Sequence, residues 1–128
     1  MNDIRSAKLL TPLNAVTATT TSSAIDVKDA RKITLEFTRA DHSSGSSTFT
    51  IFGSISGESG TFTALNNMVK DVTNTNAQDL TRVASVALSS NTTEIVALDI
   101  NNLGFTHIKI TVTKVTDGTQ TAKALIEY

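Results

Sequence analysis

The chain has no cysteine, no tryptophan, one proline, one tyrosine and two histidines. Without cysteine there is no disulfide framework and no thiolate nucleophile. Stability then does not depend on redox state, which suits a particle assembled inside a cell and released from it. Two separated histidines, His42 and His107, offer little to a nucleophilic triad, which needs a base beside its nucleophile. The letters of a nucleophile elbow occur only as "GSISG" (53–57), with Ile55 where the serine should stand. Two histidines and no cysteine also make a zinc site a poor reading. No apolar run approaches the ~20 residues of a spanning helix. The start, Met1-Asn2-Asp3-Ile4-Arg5, lacks the basic and then apolar order of a signal peptide. Eleven Lys and Arg face twelve Asp and Glu, and the cations are scattered rather than striped. That argues against nucleic acid as a partner. No catalytic, cofactor-binding or metal-ligating set is therefore assigned.

What the chain does have is Thr, Ser and Asn in abundance, with Val and Ile beside them and a net charge of −1. Low net charge with many β-branched residues favours a folded β protein over disorder. Period-2 alternation is strong from Ala24 onward. In "RKITLEFTRA" (31–40), Ile33, Leu35 and Phe37 share one face. In "TFTIFGSI" (48–55), Phe49, Ile51 and Ile55 are placed inward, with Gly53 as a bulge or close contact. "LTRVASVAL" (80–88) aligns Leu80, Ala84, Val86 and Leu88. Val96, Leu98 and Ile100 follow, then Ile108, Ile110 and Val112, then Ala122, Ala124, Ile126 and Tyr128. "VTNTNAQD" (72–79) reads as a loop. Seven or eight strands with a turn about every ten residues predict an all-β fold. It is a two-sheet antiparallel β-sandwich, jelly-roll or immunoglobulin-like.

The first 23 residues differ in texture. "AKLLTPLNAV" (7–16) is apolar but interrupted by Pro12, and "TATTTSS" (17–23) is polar. Residues 1–23 are read as an extended N-terminal arm or a first strand, and residues 24–128 as the sandwich domain. An arm would lie on a neighbour through Leu9, Leu10 and Leu13, and its removal would leave the sandwich folded. Thr-rich edges carry little protective charge, so the arm or another copy is expected to cover them.

Turn motifs carry the remaining candidates. Asp117-Gly118 suits a two-residue type I′ hairpin between 105–115 and 120–128. Asp26 with Asp29, or Asp41 with Ser43 and Ser44, are weak calcium candidates better read as turn chemistry. "SGESG" (56–60) joins two alternating runs and carries no aromatic at its tip. Beside it, Phe52 and Phe62 fall out of phase with the core. They are expected on the outer face of one hairpin, as a subunit contact, a ligand patch or a small second core.

The segments "TSSAIDVKDARKITLEFTRADHSSGSSTFTI", "VTNTNAQDLTRVASVAL" and "HIKITVTKVTDGTQTAKALIEY" resemble small β-sandwich virion proteins of tailed bacteriophages, the decoration (cement) or tail accessory proteins. The resemblance implies a non-enzymatic structural protein of the virion, assembled in the host cytoplasm. It implies repeated copies, with trimers favoured, and the major capsid protein or other virion proteins as partners. Neither nucleic acid nor membrane is among them. The leading expectation is a capsid decoration protein that stabilises the lattice. The alternatives are a tail accessory protein or a carbohydrate- or receptor-binding module. The contacts expected to serve it are Leu9, Leu10, Leu13, Phe52 and Phe62.

Overall fold

The computed structural model describes residues 6–71, 80–100, 104–114 and 116–128. The loop reading of 72–79 lies outside these residues, as does the side chain of Leu80. The strands are β1 (Ala7–Val16), β2 (Thr20–Thr21), β3 (Ile25–Asp26), β4 (Lys32–Ala40), β5 (Ser47–Ser54), β6 (Thr63–Ala64), β7 (Met68–Asp71), β8 (Leu80–Val83), β9 (Ser85–Leu88), β10 (Thr92–Leu98), β11 (His107–Lys114) and β12 (Thr119–Glu127). The first sheet has the order β1-β12-β4-β10-β7-β8. The second has the order β2-β11-β5-β6, with β3 also on β11 and β9 also on β5. All pairings are antiparallel. The expected two-sheet sandwich is what forms.

Period-2 alternation builds the core. Ile33, Leu35 and Phe37 of β4 are fully buried, as are Ile108, Ile110 and Val112 of β11. Neighbouring β12 sets small residues beside large ones: Ala122 pairs with Phe37 and Ala124 with Leu35. The space this leaves lets Phe37 stack on Phe49 from the other sheet, with centroids 4.5 Å apart and planes 13° from parallel. Such a stack adds about 1 kcal/mol beyond its burial. Gly53 makes the expected close contact, since a Cβ there would stand 2.9 Å from Leu65 Cδ1.

Residues 7–16 form the first strand of the sandwich. They pair with β12 from Ala7↔Glu127 to Val16↔Gln120. Pro12 fits because β1 is an edge strand and the register shifts on either side of Leu13. Ala15, at φ 49°, marks the second irregularity. Leu13 is only 1% exposed and belongs to the core. The expectation of Leu13 as an outward contact is corrected, because the bulge turns it under the sheet. A deletion of residues 1–16 would remove this strand and its core leucine together.

Three further expectations are revised. Ile55 is 79% exposed rather than inward, because β5 ends at Ser54 and the alternation ends there too. Ala84 is exposed because it is the hinge where one run passes from the first sheet, as β8, to the second, as β9. Asp117-Gly118 is not a hairpin turn. β11 lies in the second sheet and β12 in the first, so the loop crosses between sheets. Gly118 still needs its freedom: φ is 91°, and a Cβ would stand 2.7 Å from the Ala40 carbonyl oxygen.

Candidate functional site

The two outer faces of the sandwich differ in chemistry. On the first sheet one cross-strand row spans all six strands: Leu9, Leu125, Thr34, Ala97, Val69 and Arg82 are successive register partners. Four of the six are aliphatic, and Leu9 is 65% exposed. The next row, Lys123, Glu36 and Ile95, adds a second exposed aliphatic at 62%. A third row is threonine, with the Thr38 and Thr93 hydroxyls 3.0 Å apart. A contiguous exposed aliphatic patch is one mark of a protein contact. Of the three arm leucines, only Leu9 faces outward; Leu10 is half-buried against the core.

The second sheet's outer face is mainly a threonine ladder. Thr50, Thr111 and Thr21 are in register, with the Thr21 and Thr111 hydroxyls 3.0 Å apart. Phe52 stands on this face, opposite Ala64 on one side and Lys109 on the other. Lys109 Nζ lies 4.3 Å from the Phe62 ring centroid. Lys109 is thus in register with Phe52 and reaches over Phe62. Phe62 is half-buried, and a cation over such a ring contributes on the order of 1 kcal/mol. It also covers one ring face, which a stacking sugar would need. The SGESG turn beside them is ordered, with Gly57 at φ 101° and the Gly60 N–H donating to the Gly57 carbonyl at 3.0 Å.

At one end of the sandwich Arg39 gathers three loops. It is 1% exposed. Its guanidinium donates to the carbonyl oxygens of Gly45 (2.7 Å), Ser44 (2.8 Å), Asp117 (3.1 Å) and Leu88 (3.2 Å). Asp117 in turn accepts from the Ser43 hydroxyl and from the Ser43 backbone N–H at 3.1 Å. These Ser43 bonds hold the Asp117 carboxyl below its ordinary value, and Arg39 adds to the effect. A carboxylate lowered in this way is a poor general base. Ser43, His42 and Asp117 are thus neighbours without triad geometry, because the serine hydroxyl donates directly to the carboxylate. The group fastens loops. Arg39 belongs to no sequence motif, yet its phase with Ile33, Leu35 and Phe37 is the signal that points it inward.

The remaining candidates are also local. Asp26 Oδ1 accepts the Lys28 N–H at 2.9 Å, which is turn chemistry, and this bond lowers its pKa. Ser43 and Ser44 turn toward Asp117 rather than Asp41. His107, at the start of β11, pairs with Ser54 and Asp26, while His42 lies beside Gly118 at the other end. The eight residues of β11 hold the two rings on the order of 20 Å apart. Among the described residues no three His, Asp or Glu side chains gather as a metal site would require.

No protein-family model and no curated protein sequence matches the chain. Solved structures that match its full length include two phage-derived proteins. One is the SPBc2 prophage-derived protein YomS, 23% identical, with a TM-score of 0.70 over 98% of that chain. The other is the PBSX exported protein XepA, 19% identical, with a TM-score of 0.73; this chain spans 40% of its length. The likeness to phage β-sandwich proteins read from the sequence is thus met in three dimensions: this chain has the sandwich fold of two phage-derived proteins.

Proposed function

We propose that the chain is a non-enzymatic structural protein of a bacteriophage virion, and that it decorates the capsid. The observation that carries this reading is the fold shared end to end with a prophage-derived protein of nearly the same length. The surface supports it. The aliphatic row of the first sheet would serve as the contact surface, and in the loop cluster the Ser43 hydroxyl and the Asp117 carboxylate are engaged with each other rather than free for chemistry. Repetition on a lattice turns one weak contact per copy into firm attachment. The exported protein among the structural neighbours fits a role outside the cell.

The test is to purify particles, separate heads from tails, and locate the chain by mass spectrometry. Recovery in the head fraction at a fixed copy number is expected. Recovery only with tails would move the proposal to a tail accessory protein, and absence from washed particles would remove the virion reading.

A further inference from the structure

Among the described residues, the large aliphatic side chains that stand exposed are Leu9, Ile55 and Ile95. Two of them share a site. Leu9 and Ile95 line a groove on the first sheet's outer face together with Thr34, Leu125, Glu36 and Lys123. Its volume is about 270 Å³. That is below the roughly 300–1,000 Å³ typical of small-molecule pockets, and it suits an aliphatic side chain on a turn. The third exposed aliphatic is such a side chain. Ile55 opens the turn after β5, on the opposite sheet, and is 79% exposed.

The turn is held in shape before any contact forms. Ser54 Oγ accepts the Ser56 N–H at 3.2 Å, and the Gly57 N–H donates to Thr106 Oγ1 at 3.1 Å. A preorganised knob loses little conformational freedom on docking. One charge contact is open to the turn, with Glu36 in register beside the lysine that would make it. Glu58, exposed on the same turn, and Lys123, exposed at the groove, have no ion-pair partner among the described residues.

We infer that the groove receives the Ile55 turn of a second copy of this chain. Ile55 seats between Leu9 and Ile95, and Glu58 meets Lys123. Both halves of the contact lie on one chain, on opposite sheets, so the contact is head-to-tail and repeats from copy to copy. It is a property of the chain alone and stands or falls independently of the virion reading.

The experiment uses the purified full chain in sedimentation equilibrium. Wild type is expected above monomer mass. Ile55→Asp and Ile95→Asp should each weaken association roughly thirtyfold or more, the loss that marks a hot spot. Both side chains are exposed, so both variants should keep the wild-type circular dichroism. A head-to-tail contact makes a further demand. Ile55→Asp keeps its groove and Ile95→Asp keeps its knob, so an equimolar mixture should form a species of two chains. Glu58→Lys should weaken association, and adding Lys123→Glu should restore it in part, since Glu36 stands opposite position 123. A monomeric wild type, a mixture that stays monomeric, or a charge reversal that restores none of the association would overturn the inference.

Discussion

Asp117 shows how one carboxylate serves the fold through its loop partners. Its bonds to the Ser43 hydroxyl and backbone N–H keep the 43–45 loop against the β11–β12 crossing. Arg39 reaches both sides of the same junction from beneath. Because those bonds favour the charged form, the Asp117 pKa lies lower in the folded chain than in the unfolded one. The sign of the pH effect follows. The stabilisation is complete above the unfolded value and is lost as pH falls through the folded one. Wild type should therefore lose thermal stability on acidification below about pH 4. Asp117→Asn should lose less over the same range, although it starts lower at pH 7. Melting temperatures from pH 7 to pH 2 test this, and parallel curves for the two proteins would refute it.

At the scale of elements, β1 is decided by which of its leucines lies under the bulge. Leu13→Ala should cost roughly 2–4 kcal/mol, as for other fully buried leucines. Leu9→Ala should stay within about 0.5 kcal/mol, as exposed positions do. Urea unfolding of both variants measures the contrast, and similar losses would show that β1 does not pack as described. The same strand shows what a sequence can convey. Alternation at 33–37, 49–51, 108–112 and 122–126 is a local property of each strand, so it reads directly as core. Sheet membership is not local. Nothing within "LTRVASVAL" marks Ala84 as the point where the run changes sheets. Asp117-Gly118 has the letters of a hairpin, yet its flanking strands pair elsewhere. Ile55 kept its phase on paper only because the end of β5 at Ser54 is set by the turn's hydrogen bonds. The two outer faces differ in how far they read from the sequence. On the second sheet the outward position of Phe52 follows from its phase alone, whereas on the first the row from Leu9 to Val69 exists only once the strand order is known.

For the whole molecule, strand order makes the sandwich a single folding unit. β12 lies between β1 and β4 and pairs with β4 over nine residues, from Thr119↔Ala40 to Glu127↔Lys32. It contributes Gln120, Ala122, Ala124 and Ile126 to the interior, all at 0% exposure. β1 therefore has no neighbour in the first sheet until β12 is in place, and Leu13 cannot be buried there without it. Pairings this distant in sequence cost much loop entropy before they bring any burial, which places refolding in the millisecond-to-second range. A chain truncated after Gly118 would lose the strand that joins β1 to the rest and would open β4 along its length. It should show no cooperative thermal transition and a collapsed amide spectrum, while the full chain should unfold in one transition. If the truncated chain still melts cooperatively, then β4, β10 and β7 form a core with the second sheet without β12, and the sandwich is two units rather than one.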